Sequence, residues 1–216
     1  EPFTLSGNLK KLNINDSGIL NLGQTGNGPL RQYATLREYL PLKNVKRVIW
    51  FYSEGNDLKE LSKELEHQIL IKYLKDQNFS QNLITKNEKV QQLLLSELSI
   101  VEKQLREAFL FEKKTERNSI TNFLILKKLR IYFFETLFTK KEEKNYIFMK
   151  KDFENIIDLS NKFSNNNNAK FYFVYLPLYI RFQLNNNHDE FKNYREIIEI
   201  VKNLNIPVID IKKELF

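Results

Sequence analysis

An α/β fold, with a mostly parallel sheet flanked by helices, is predicted by three features of this sequence. Two runs, Arg47 to Tyr52 (RVIWFY) and Lys170 to Leu176 (KFYFVYL), are β-branched and aromatic almost throughout, the pattern of strands buried in a parallel sheet. Segments with apolar residues at helical spacing alternate with them along the chain. From about 78 to 150 the sequence turns long, charged and Leu-rich with no strand in it, which reads as a helical insertion carried by the α/β core.

In order, Glu1 to Leu12 carries Phe3, Leu5, Leu9 and Leu12 at weak helical spacing and is expected to cover one sheet face. Ile14 to Leu22 is predicted as a first strand, entered by the turn Asn15-Asp16-Ser17-Gly18. After the glycine turn, Leu30, Tyr33, Ala34, Leu36 and Leu40 mark a helix that Pro41 ends. Arg47 to Tyr52 is expected as a central strand. A helix then runs to about Lys75, capped by Asn56 or Asp57, with Leu58, Leu61, Leu65 and Ile69 on one stripe and His67 off it, exposed. In the insertion, Val90, Leu93, Leu94, Leu98, Val101, Leu105 and Phe109 form one helical face; Ile120, Leu124, Leu129, Phe133 and Leu137 form another. Their width suggests ordinary core packing or a face that docks something. Phe153 to Phe163 is a further helix, Asn165 to Asn168 a loop, Lys170 to Leu176 a strand stopped by Pro177, and Asn185 to Asp189 a loop. Glu190 to Leu204 is a helix and Ile206 to Asp210 a last short strand.

With 216 residues, 42% hydrophobic and 28% charged, the chain suits one globular domain. It contains no cysteine, which excludes disulfides, a thiolate nucleophile and cysteine metal ligands. A net charge of +7 invites nucleic acid, but the positive charge is mostly Lys and is interleaved with acids in KKEEK, KKDFE and DIKKEL, the look of solvated helix faces; no nucleic-acid partner is predicted. Ser119 to Phe138 comes nearest to a membrane span, yet Lys127, Lys128 and Arg130 sit at its centre, so no transmembrane segment is expected. His67 and His188 have no acid cluster beside them, and neither metal nor cofactor is expected. Glu142-Glu143 and Asp189-Glu190 read as surface charge. Tyr175, Tyr179 and Arg181 follow a strand end and are core or rim residues first.

Two strand-to-turn junctions carry the unusual chemistry. Gly23, Gly26 and Gly28 crowd the turn after Leu22, where missing Cβ atoms let backbone amides approach a ligand. Glu54-Gly55-Asn56-Asp57 ends the Arg47 to Tyr52 strand and offers the Asn56 carboxamide at a helix start. On adjacent parallel strands both turns lie on one sheet edge, where the Gly26 amide and Asn56 side chain would make two parts of an oxyanion hole. As a bland alternative, Asn56 is an N-cap and Gly26 a turn residue.

The pairing of NLGQTGNGP (from Asn21) with WFYSEGND (from Trp50) resembles the SGNH/GDSL hydrolase superfamily, in particular its bacterial members that act on cell-surface polymers. Gly26 matches the glycine of the family's second block and Asn56 the Asn of its GxND-like third block; FVYLPLYIRF and IPVIDI look like its later strands. The resemblance covers about two thirds of the chain, the helical arm lying outside it. It implies a flavodoxin-like fold, an esterase or O-acyltransferase activity on an acylated carbohydrate or other ester, and no cofactor. Glu54 stands where the family usually has Gly, which implies a narrower or more acidic approach to the hole. The GDS motif of the nucleophile and the DxxH motif of the base do not occur: Asp210 is followed by Ile211-Lys212-Lys213, and His188 precedes its acid. The chain is therefore read as a single SGNH-like domain over 1–216, incomplete at both ends and inactive alone, its Ser and Asp/His supplied by flanking sequence. Membrane association is left to those flanks or the arm, and the compartment stays open between cell envelope, periplasm and cytoplasm.

Two rivals remain. Glycines between a strand and a helix suggest a nucleotide site, although the spacing Gly23-x-x-Gly26-x-Gly28 is not G-x-G-x-x-G and no P-loop Lys follows. A non-catalytic binding or scaffold module, docking a partner through its helical arm, is the other.

Overall fold

The computed structural model describes residues 4–12, 18–42, 44–115, 146–178 and 193–215. Three parallel strands, β1 (Arg47–Ser53), β2 (Lys170–Leu176) and β3 (Val208–Asp210), form one sheet in the order β1-β2-β3. Eight helices are described with them: α1 (Leu5–Leu12), α2 (Pro29–Tyr39), α3 (Asp57–Glu64), α4 (Gln68–Lys75), α5 (Asn87–Thr115), α6 (Tyr146–Asn166), α7 (Tyr194–Asn203) and α8 (Ile211–Leu215). The chain divides into two compact units, Glu1–Ser80 with Asn145–Phe216, and Gln81–Lys144.

The first unit holds the core. Alternation along the strands sends Trp50 and Tyr52 to the same face as Phe171, Phe173 and Tyr175, with Trp50 opposite Phe173 and Tyr52 opposite Tyr175. Tyr52 stacks on Phe173 and Tyr175 at 5.8 and 5.4 Å between ring centroids, and Phe153 of α6 meets Tyr52 edge-on at 5.5 Å. Leu30 and Tyr33 of α2, Leu61 of α3, Tyr73 of α4, Ile156 and Ile157 of α6, and Ile197 and Val201 of α7 complete that core. Arg37, buried on α2, closes the end of α4 by donating to the carbonyls of Tyr73 (3.0 Å) and Phe79 (2.8 Å). Beside it Glu38 accepts from the Tyr73 hydroxyl at 2.5 Å and the Ser80 hydroxyl at 2.9 Å, so these two charged neighbours tie α2 to α4 and the segment after it. α6 stops where Asn168 takes a left-handed φ of 59° and Ala169 donates to the Ser164 carbonyl.

Several expectations are corrected. Gly18 to Leu22 forms no strand, and Leu20 is exposed; without a described neighbour to take its backbone groups, an apolar tetrapeptide gains nothing by extending. Residues 13–17 lie outside the described residues. Among the described strands β1 is at the sheet edge rather than at the centre, and on its other face Ile49 is 42% exposed, as is Ile209 of β3 at 40%. Val174 of β2, on that same face, is nevertheless buried at 4%, so the face is open at Ile49 and Ile209 and covered at Val174. α1 buries none of its residues and covers no sheet face. The helix expected through Lys75 breaks into α3 and α4 because His67 turns extended (φ −85°, ψ 110°), and His67 is exposed. The last strand is limited to Val208–Asp210, and the described part of the helix expected from Glu190 is α7 from Tyr194, Glu190 to Lys192 lying outside the described residues.

In the second unit α5 runs for 29 residues, and Leu93, Leu94, Leu98, Val101 and Leu105 are all exposed on it. The expected face from Ile120 to Leu137 falls outside the described residues, as do Glu142-Glu143, Tyr179, Arg181 and His188.

Candidate functional site

Both turns of interest belong to the first unit, and both are anchored by buried carboxylates. β1 delivers Glu54 inward, where its carboxylate accepts from the Tyr175 hydroxyl (2.5 Å) and the Leu178 amide (3.0 Å), while its own amide donates to the Leu176 carbonyl (3.0 Å). The end of β2 is thereby tied to the turn after β1. A Cβ at Gly55 would lie 2.6 Å from Leu178 Cδ1, so a larger residue there would displace the Leu178 side chain. Glu54 is consequently committed to structure and does not project an acidic wall over the turn.

Asn56 follows at the N-cap position of α3, and its carbonyl accepts the first helical bond, from Glu60, at 2.8 Å. Its side chain makes no capping bond, and the residue is exposed. Asn56 is thus an N-cap by position and backbone, as the bland reading has it, while its carboxamide is unspent among the described residues.

The glycine turn is built just as firmly. Asn27 donates to the Gln24 carbonyl at 3.2 Å, closing a β-turn over Thr25 and Gly26, and Gly26 adopts φ +79° at its third position, where a type II turn needs a positive φ. The Gly26 carbonyl is held by Arg31 Nη1 at 3.3 Å. Its amide has no acceptor among the described residues, and nothing lies within 4 Å of where its Cβ would be. One residue on, Glu64 of α3 reaches the opening of α2 and accepts from the amides of Gly28 (2.7 Å), Leu30 (3.0 Å) and Arg31 (3.3 Å). A carboxylate from within the chain thus occupies the anion position at this helix start.

Asp57 completes the arrangement. It is 4% exposed beneath Asn56, and burial first, then the Glu64 and Glu60 carboxylates, push its pKa up to about 7 against the lowering effect of the Ser53 backbone and Gln32. Tyr52, on the strand beneath, is held strongly neutral, by burial first and then by the charges of Asp57 and Glu54. Gln32 Nε2 stands 3.4 Å from both the Asn27 carbonyl and Asp57 Oδ2, so one side chain of α2 touches the residues that follow Gly26 and Asn56. On β3, Asp210 is buried and accepts from the Tyr194 hydroxyl and the Lys212 amide. Among the described residues no cluster of His, Asp and Glu could hold a metal ion, and no helix is long and apolar enough to cross a membrane.

Glu64, Gln32 and the burial of Asp57 were not singled out from sequence. Asp57, Leu61 and Glu64 stand at helical spacing on the same stripe as the apolar residues, and acids on a core-facing stripe are the signal that could have found them.

Compared with protein-family models, with curated proteins and with solved structures, the chain matches none.

Proposed function

We propose that Gly26 and Asn56 are two donors of an oxyanion hole and that the intact protein is an SGNH/GDSL-type acyl hydrolase or O-acyltransferase, acting on an acylated carbohydrate or another ester. The observation that carries this is the pair of unspent donors. The Gly26 amide and the Asn56 carboxamide are both exposed and unpartnered, each on a turn held by buried carboxylates, and the residues after them share the Gln32 side chain. Donors fixed in advance cost little reorganisation when charge develops on a carbonyl oxygen. Parallel strand order and the Asn56 turn at the end of β1 support a flavodoxin-like arrangement, while the Gly26 turn follows no described strand.

In this mechanism a Ser hydroxyl attacks the acyl carbonyl, a His takes its proton, and the two donors hold the tetrahedral oxyanion until the alcohol leaves. Ser and His of the family's motifs do not occur in residues 1–216, and the mechanism draws them from sequence outside this chain. The 216-residue chain is accordingly expected not to turn over p-nitrophenyl acetate. The intact protein is expected to do so, and Asn56→Ala to lower its kcat about 100-fold or more. Turnover by the 216-residue chain would refute the account of the nucleophile; undiminished turnover by Asn56→Ala in the intact protein would refute the oxyanion hole.

A nucleotide site is disfavoured by Glu64, which already takes the amides a phosphate would need, and by Gly28, whose Cβ position lies 2.6 Å from Glu64 Oε2. NADH fluorescence titrated with the protein should not change. A scaffold role keeps the exposed leucines of α5 in its favour, and an intact protein without any esterase activity would turn the choice to it.

A further inference from the structure

Among the described residues, Gln32 is the side chain that bonds to both turns. It projects from the first turn of α2, whose start is pinned by Glu64, so its base cannot drift. A carboxamide nitrogen carries two hydrogens, and here two acceptors stand at equal distance from it, the Asn27 carbonyl and Asp57 Oδ2, both at 3.4 Å. Asn27 directly follows Gly26; Asp57 directly follows Asn56 and starts α3.

We propose that Gln32 is a positioning residue, a two-headed donor that locks the Gly26 turn to the Asn56 turn and so sets the spacing of the two oxyanion donors. Its purpose rests on the oxyanion reading above; its existence as a link does not. The link is reversible, because one of its acceptors is ionisable. A charged Asp57 draws the Gln32 amide harder than a neutral one. The groups that face Asp57 are Tyr52 of β1, Glu60 and Glu64 from α3, and Gln32 from α2, with Arg31 of α2 paired to Glu64 at 3.8 Å. None of the groups that shift Asp57 is a cation, so ionisation of Asp57 is balanced chiefly by the Gln32 and Ser53 donors.

The test is a pH titration of the 216-residue chain by two-dimensional ¹⁵N NMR, from about pH 5 to about pH 9. In the wild type the Gln32 carboxamide protons, the Asn56 carboxamide and the Gly26 amide should inflect with one midpoint, and Asp57→Asn should remove that inflection from all three. In Gln32→Met, which keeps the length of the stem and lacks the donor, the Gly26 inflection should fall at least threefold in amplitude while Asn56 keeps its own. Equal amplitudes at Gly26 in wild type and Gln32→Met would overturn the proposal. Should Gln32→Met not fold, the wild type alone decides: Gln32 protons that stay put while Asp57 titrates would also overturn it. Ester hydrolysis by the intact protein is a separate readout. Coupled turns without hydrolysis leave the clamp standing and remove the enzymatic reading, whereas Asn56-dependent hydrolysis without coupling does the reverse.

Discussion

Glu64 does at one carboxylate what a capping side chain and a bound anion do elsewhere. It satisfies three amides at the start of α2, two of them buried, from a helix 33 to 36 positions further along. Removing it strands those donors, and each buried unpaired amide costs about 1–3 kcal/mol. Glu64→Ala is therefore expected to destabilise the fold by about 3 kcal/mol or more, and Glu64→Gln, which keeps an acceptor, by less; urea unfolding measures both. Asp57 gives the opposite kind of prediction. Its pKa is raised on folding from 3.8 to about 7, so the folded state holds a proton that the unfolded chain releases. Its contribution is fully present below about pH 3.8 and is lost as pH rises through about 7, on the order of 4–5 kcal/mol across that window at ~1.4 kcal/mol per unit. Asp57→Asn should abolish this dependence and leave the variant more stable than wild type at about pH 8. A wild type and variant whose unfolding energies run parallel with pH would contradict it.

At the scale of elements, the two glycines of one turn serve different ends. Gly28 has an ordinary φ of −88°, but a Cβ there would press on Glu64 Oε2 at 2.6 Å and Glu60 Cβ at 2.9 Å. Gly26 has free space but a left-handed backbone. Gly28→Ala is expected to cost about 3 kcal/mol by forcing α3 away from α2, and Gly26→Ala about 1 kcal/mol from backbone strain alone. Thermal unfolding of both separates the two causes. The strands around them were legible because Trp50, Tyr52, Phe171, Phe173 and Tyr175 leave no other use for those segments. So were the helix from Pro29, with proline at its start, and the turn at Glu54. The break between α3 and α4 was not, since Leu58, Leu61, Leu65 and Ile69 keep one period across it while the backbone turns extended at His67. Nor was the edge position of β1 legible: an apolar run says that a strand is buried, not which neighbours bury it. Of the candidate site, the two donors could be named from their residue types, while the acids and the amide that fix them are visible only once α2 and α3 are packed.

At the scale of the molecule, every residue of the main core lies in the unit formed by Glu1–Ser80 and Asn145–Phe216. Replacing 81–144 by a short Gly/Ser linker should therefore leave a folded unit whose melting temperature stays within a few degrees of the parent; a molten product would show that the core needs the excised segment. The same layout bears on how the protein is made. Glu54 and Tyr175, whose side chains meet in the finished sheet, are 121 positions apart. At translation speeds of about 5–20 residues per second, Tyr175 leaves the ribosome roughly 6 to 24 s after Glu54. Throughout that interval the nascent β1, with Trp50 and Tyr52, has no partner strand, so the growing chain offers a holding chaperone an aromatic segment long before it offers one to itself.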